Sequence, residues 1–263
     1  MHKSKNFSIE LNGRLGNQLF GIALLIALEG KLRTKGALNL NRLEYIGTEL
    51  TKIIKENQFE IKSFYKRILI ERSPFEVDPN VFQILPDTML RGYFQSPEYF
   101  KTYDSKIRST ILGSRKNVIQ KKIPEIAIHV RRGDYVGNRF HGVCSDEYFI
   151  SGVQILRSIW GPVPVKIFSD SKKDAAELRK KIKNSSIFID EKMSPFLVLL
   201  NLSKYKFLVM SNSSFSYWAA YLSDKSIGEV IAPIQWTNFH NNVLNLDSMI
   251  RIDRKYGALF NLI

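Results

Sequence analysis

The segment His129-Val130-Arg131-Arg132-Gly133-Asp134 closes a short apolar run with two guanidinium groups and a carboxylate. A guanidinium presents a planar fork of donors that grips a diphosphate bidentately, which an ammonium cannot copy. In an extended chain His129 and Arg131 share one face and Arg132 takes the other. Gly133 then lets the chain turn, at the strand end where open α/β sheets hold their ligands. The same residues could instead form an ion pair between an arginine and Asp134 that serves stability alone. Their place directly after an apolar strand favours the ligand role.

Three further strand ends carry groups of the same kind. Gly13-Arg14-Leu15-Gly16-Asn17-Gln18 follows an apolar strand and opens a helix, whose free N–H groups suit an anion. Ser211-Asn212-Ser213-Ser214-Phe215 also runs from strand into helix, with Ser213 or Ser214 suited to capping. Ser169-Asp170 ends another strand, and a carboxylate there could accept from the N1–H and amino group of a guanine. Ordinary turns and helix caps would use each of these residue types. It is the recurrence of such groups at three strand ends of one lobe, at 129–134, 169–170 and 211–215, that points to a nucleotide. His2, His141 and His240 read as surface or packing residues, and Phe20, Tyr217, Trp218 and Trp236 as core or cleft wall.

Several chemistries are excluded by what is missing. The chain has no Gly-x-x-x-x-Gly-Lys-Ser/Thr loop, Gly-x-Gly-x-x-Gly, His-Glu-x-x-His or Gly-x-Ser-x-Gly. No Asp-x-Asp pair stands ready for a divalent ion on a sugar nucleotide. Cys144 is the only cysteine, so no intramolecular disulfide and no multi-cysteine zinc site can form. Phosphate charge must then be met by arginine, lysine and backbone N–H groups, with neither metal nor cofactor expected.

These groups need a scaffold, and the pattern supplies one. The 263 residues are 44% hydrophobic and 24% charged, enough to bury a core of one large or two small domains. Phe7–Leu11 reads as strand and Asn17–Leu32 as helix; 49–70 is partly helical, and 73–100, with four of the nine prolines, is irregular with short strands. After Pro124, strands at 126–130, 163–168, 186–189, 207–210 and 229–232 alternate with helices at 145–160, up to about 183, 195–202 and 213–222. That alternation implies parallel sheet flanked by helices. A domain boundary is expected near 118–125.

The formal charge of +14 calls for an acidic partner: nucleic acid, an anionic membrane face or a phosphorylated small molecule. The basic run at 172–183 is interleaved with Asp174 and Glu177 and reads first as an exposed helix. Aromatics are not interleaved with it, which argues against nucleic acid. A nucleic-acid-binding protein and a non-catalytic carbohydrate-binding module are the non-enzyme alternatives. The longest apolar run, Leu19–Leu28, is about half of what crosses a bilayer. With a single cysteine and four Asn-x-Ser/Thr sequons, the expected compartment is the cytoplasm.

The ordered set of segments is specific. Gly13–Phe20, Gly92–Ser96 through Tyr99-Phe100, His129–Tyr135, Cys144–Tyr148, Phe168–Asp170 and Ser211–Leu222 with Ala232-Pro233 and Trp236 resemble the glycosyltransferase family 11 α-1,2-fucosyltransferases. Arg14 stands where that family often has glycine, and Tyr217 where it often has tryptophan. The resemblance implies a GT-B-like fold, two Rossmann-like α/β lobes facing a central cleft. Residues 1–122 would form an acceptor-side lobe carrying the Gly13–Gln18 loop, and 123–263 a GDP-fucose-binding lobe. It implies metal-independent, inverting transfer from GDP-β-L-fucose to a glycan ending in a galactose-like sugar, lipid-linked in many bacterial members. Work on such a carrier would bring the basic chain to the inner face of the plasma membrane.

Arg131 is the expected diphosphate ligand, Arg132 the second, and His129 lines the donor pocket. Gly16, Asn17, Gln18, Ser169, Asp170, Ser213, Ser214 and Phe215 complete the donor set. Asp134 is the expected base for the acceptor hydroxyl, with Asp146, Glu147 and Glu98 as other carboxylates able to serve; the alternative role for Asp134 is to orient Arg131. Transfer of another GDP-sugar, or to another hydroxyl, is the alternative within enzymes.

Overall fold

The structure is a computed structural model that describes residues 6–259, apart from 44–46, 64, 189, 191, 224, 242, 243, 245 and 247. The chain divides into two compact units, Met1–Lys116 with Ser194–Phe196, and Asn117–Met193 with Leu197–Ile263. The division falls at 116/117 rather than 122/123. The excursion at 194–196 belongs to the first unit, where the Phe196 ring lies 5.6 Å from the Arg115 guanidinium.

In the first unit β1 (Phe7–Glu10), β2 (Gly36–Asn39), β3 (Glu60–Ile61), β4 (Arg67–Ile70) and β5 (Thr88–Arg91) form a parallel sheet in the order β3-β2-β1-β5-β4. Helix α1 (Leu15–Leu32) links β1 to β2 and buries twelve of its residues, among them Leu19, Phe20, Ile22, Leu24 and Leu25. By length and a mean hydropathy of 1.3 it could cross a membrane, but 67% of it is buried within this unit, as in a core helix. Helices α2 (Thr48–Glu56) and α3 (Asp104–Leu112) complete the unit. The stretch at 49–70 thus changes from helix to two short strands, β3 and the largely exposed β4.

The second unit follows the expected alternation. After the short helix α4 (Lys116–Gln120) come β6 (Ile123–Val130), α5 (Asp146–Trp160), β7 (Val165–Ser169), α6 (Lys172–Lys181) and β8 (Ser185–Ile187). Then follow α7 (Pro195–Ser203), β9 (Tyr205–Val209), α8 (Ser214–Leu222), β10 (Val230–Pro233) and β11 (Met249–Ile252). The strand expected at 186–189 starts one residue earlier, and its last residue, Ile189, lies outside the described residues, as does His2.

The strands pair in parallel in the order β8-β7-β6-β9-β10-β11. Numbered within this unit, that is 3-2-1-4-5-6, the order of dinucleotide-binding sheets. The last five residues of β6 are all buried, as a central parallel strand covered on both faces requires. Ile126, Ile128 and Val130 pack with Phe149, Val165, Ile167 and Val209 in one core cluster.

Candidate active site

The chain of the second unit builds outward from β6 to β8, then returns to β6 on its other side with β9. The C-terminal ends of β6 and β9 therefore flank a topological switch point, where open α/β sheets form a ligand crevice. The two ends are laced together there. The backbone N–H of Arg131 donates to Ser211 Oγ at 3.0 Å, and Ser211 Oγ donates to the His129 carbonyl at 2.5 Å.

Arg131 is the centre of the arrangement. Its Nη1 donates to Asp170 Oδ2 and its Nη2 to Asp134 Oδ1, each at 2.5 Å. Its guanidinium carbon lies 5.3 Å from the Tyr135 ring centroid. The ion pair with Asp134 that the sequence allowed is formed, and Asp170 is a second partner. A fork held from two sides by carboxylates is fixed in direction, and an incoming diphosphate would compete for its donors. Asp170 also accepts from the Arg132 N–H through Oδ1 at 3.1 Å, so both its oxygens are engaged. Gly133 is needed here for space: a Cβ would lie 2.6 Å from Asp170 Oδ2.

Arg132 turns away to other work. It donates to Asp146 Oδ1 at 2.5 Å, to the Cys144 carbonyl at 3.1 Å and to Asp174 Oδ1 at 3.5 Å. These contacts tie the end of β6 to the first turns of α5 and α6. Asp146 also accepts from Lys181 Nζ at 2.6 Å. Burial raises its pKa, but the Lys181 and Arg132 hydrogen bonds prevail and hold it below the usual carboxylate range.

His129 is buried, its Nδ1 2.5 Å from Ser216 Oγ and its ring stacked on Phe215 at 5.2 Å. Burial, against the pull of Asp170, pushes its pKa down to about 4, so the ring is neutral at physiological pH. Ser213 stands at the N-cap of α8, yet its side chain makes no capping bond. The positive end of α8 thus lacks a side-chain cap. Ser169 Oγ accepts from the Ser171 N–H at 3.0 Å and braces its own turn.

In the first unit the corresponding edge is the end of β1 beside the end of β5. Gly13 adopts φ +63°, and a Cβ on it would lie 2.8 Å from Asn17 Nδ2. Gln18 Nε2 donates to the Gly13 carbonyl at 2.7 Å, and Gln95 Nε2 donates to Asn17 Oδ1 at 2.9 Å. Asn17 and Gln18 therefore brace the loop with the side chains that were expected to meet a donor. Gly16 is buried in the first turn of α1. The helix starts without a side-chain cap or an acidic residue.

The groups that hold this edge carry no local mark in the sequence. Arg91 donates to buried Glu10 with two bonds, 2.8 and 3.1 Å. Glu71 Oε2 accepts from the N–H groups of Tyr93 and Phe94 at 2.8 and 2.9 Å, with Phe94 at φ +50°. Its Oε1 is buried without a hydrogen bond. Burial pushes the Glu71 carboxyl up to about 7, against those two backbone bonds. The sequence marked this stretch only through Gly92–Ser96, one of the segments that carry the family resemblance.

Among the described residues no group of three or more His, Cys, Asp or Glu side chains is placed to share a metal ion. The family model of glycosyl transferase family 11 matches residues 1–253. An alpha-1,2-colitosyltransferase of Escherichia coli is 30% identical over 172 residues, 59% of this chain and 57% of that protein. The chain is thus matched to little more than half of that relative's length. The O-antigen biosynthesis glycosyltransferase WbnK of Escherichia coli is 23% identical over 301 aligned positions, 92% of this chain and 99% of that protein.

Among solved structures, NodZ alpha-1,6-fucosyltransferase soaked with GDP-fucose superposes with a TM-score of 0.51 at 10% identity, covering 84% of this chain and 93% of that one. The E. coli heptosyltransferase WaaC with ADP gives 0.50 at 12%, covering 98% and 96%. At such identities the likeness speaks for the fold, which is GT-B-like.

Proposed function

The chain belongs to glycosyl transferase family 11, and on that premise we propose that it transfers L-fucose from GDP-β-L-fucose to a sugar hydroxyl, forming an α-1,2 linkage with inversion. The observation that carries this reading is Arg131 at the β6/β9 switch point, beside the uncapped start of α8. The acceptor hydroxyl attacks C1 of fucose on the face opposite GDP. The C1–O bond breaks with its electron pair, and negative charge grows on the β-phosphate. Arg131 and the N–H groups at the start of α8 stabilise that charge more in the transition state than in the ground state. No metal ion takes part. Asp170 exchanges one of its present partners for the guanine edge. His129, Phe215, Ser169, Ser213 and Ser214 line the nucleotide.

The acceptor is a glycan ending in a galactose-like sugar, built for a surface polysaccharide on a lipid carrier. The name of the relative WbnK supports the polysaccharide role. The charge of +14 would hold the chain at the anionic cytoplasmic face of the plasma membrane. The colitosyltransferase relative favours a second reading, in which the donor is the GDP-activated form of a sugar other than fucose. Thermal shifts with GDP, GDP-fucose, GDP-mannose and UDP-sugars decide between donors, since a ligand of the native state raises its melting temperature. Stabilisation by UDP-sugars alone would defeat both readings. Linkage analysis of the product by NMR tests the α-1,2 assignment.

A further inference from the structure

The transfer reaction needs a base for the acceptor hydroxyl, and most of the carboxylates expected to serve are otherwise occupied. Asp134 is held by Arg131, and Asp146 by Arg132 and Lys181. Asp170 is shared between Arg131 and the Arg132 N–H. Glu98, in the first unit, pairs with Lys101. Glu147 is exposed on α5, within electrostatic reach of Lys181. A carboxylate clamped to a cation has its lone pairs engaged and its charge compensated, which makes it a poor proton acceptor.

One basic group at this edge has no such commitment. The ring of His141 stacks on Tyr135 at 4.2 Å and 5°, and the Tyr135 ring in turn lies 5.3 Å from the Arg131 guanidinium. Phe140 meets the same imidazole edge-on at 5.1 Å. Its backbone is pinned from three sides: the N–H donates to Asn138 Oδ1 at 3.0 Å, and the carbonyl accepts from Arg254 Nη1 at 2.6 Å and Asn212 Nδ2 at 3.1 Å. Asn212 follows β9, so the imidazole is anchored to the strand pair that carries Arg131. Among the described residues nothing hydrogen-bonds its ring nitrogens. The other two described histidines differ, His129 being engaged by Ser216 and His240 by Thr237. A histidine fixed in position with both nitrogens unspent, one aromatic ring away from the leaving-group arginine, has the features a general base requires.

We propose that His141 accepts the proton of the attacking sugar hydroxyl, while Asp134 orients Arg131. The hydroxyl oxygen bonds to C1 of the donor sugar as the C1–O bond to the β-phosphate breaks and GDP leaves with the electron pair. The hydroxyl proton passes to the unprotonated ring nitrogen and from there to solvent. This assignment rests on the transfer reaction proposed above.

The groups facing the imidazole are Asp134, Arg131 and Tyr135 from its own loop, while Arg254, from the segment after β11, reaches the His141 carbonyl. His240, from the segment after β10, lies across Phe140. Burial lowers the imidazole below the ordinary histidine range, Arg131 adding to this and Asp134 opposing it. The ring is then neutral and able to take a proton at pH 7.

The test is the pH dependence of kcat/KM for transfer from GDP-fucose, in the wild type and in His141→Gln, with GDP affinity measured by calorimetry. The wild type should lose activity on the acid side through one ionisation. That ionisation should coincide with the His141 imidazole titration read by NMR on histidine-labelled protein, a comparison needing no variant. His141→Gln should bind GDP as the wild type does, turn over about 10²–10⁴-fold more slowly, and lose the acid limb. Normal turnover with the limb intact, a limb that does not match the imidazole, or parallel loss of GDP binding would overturn the proposal. A wild type that transfers nothing from any GDP-sugar would instead sink the reaction itself.

Discussion

Arg131 donates to Asp170 Oδ2 at 2.5 Å from the end of the adjacent strand, although thirty-nine residues separate the two along the chain. The contact exists because β6 and β7 pair in parallel register, with Val130 opposite Ser169. The residue after each partner then emerges at the same edge. Asp134 completes the clamp from the far side. The guanidinium is thereby aimed before any ligand arrives, and preorganisation of this kind lets a charged group act in the transition state without reorienting.

Substituting Arg131 should affect chemistry more than folding. Arg131→Lys keeps the charge but not the fork. Turnover of GDP-fucose is expected to fall about 10²–10³-fold, the usual cost of removing one such donor. Steady-state kinetics measures this, and near-normal turnover of Arg131→Ala would contradict the donor-site reading.

Arg132 should behave in the opposite way. Its side chain and that of Asp146 are each only 14% exposed. Arg132→Met leaves Asp146 and Asp174 without that guanidinium, at a cost to stability of about 3 kcal/mol. Urea denaturation followed by circular dichroism reads the loss. An unchanged midpoint would show that the brace between β6, α5 and α6 contributes nothing to stability.

Glu71 predicts a pH dependence of the first unit. Its carboxyl titrates at about 7 in the folded chain, against an ordinary value of 4.5. The folded state therefore binds its proton more tightly than the unfolded state. Its contribution to stability is complete below pH 4.5 and is lost as pH rises through about 7. Melting temperatures should fall between pH 5 and pH 8, and Glu71→Gln should flatten that slope. An identical slope in the variant would assign the dependence to other groups.

Cys144 should be chemically silent while the chain is folded. Burial pushes its thiol up to about 12, and the side chain sits within the core of the second unit. Since the thiolate is the reactive form, iodoacetamide should label the protein only in denaturant. Rapid labelling in native buffer would mean that this core opens readily.

Activity should survive EDTA unchanged if arginine and helix N–H groups alone meet the phosphate charge. Loss of transfer in EDTA, restored by Mn²⁺, would require a metal in the donor site.

Local sequence pattern was enough for the class of the fold, because buried parallel strands announce themselves locally. Ile126–Val130 and Val165–Phe168 are nearly continuous apolar runs, and the intervening helices carry a 3.6-residue period. It also determined which residue types lie at the strand ends, since each strand is followed by a turn that the same local pattern marks. The exposed strand β4 and the two-residue β3 left no such trace.

Partner choice is legible only in the folded chain. Arg131 and Arg132 are neighbours in the chain, yet alternation along an extended backbone sends one to Asp134 and Asp170 and the other to Asp146 and Asp174. Glu71 is tied to Tyr93 and Phe94 across a paired strand, and His141 was set apart from the other histidines by what does not touch it. Hydrophobic periodicity is a property of neighbours along the chain. Ion pairs, burial and pKa shifts depend on groups that meet only once the strands have taken their order and register.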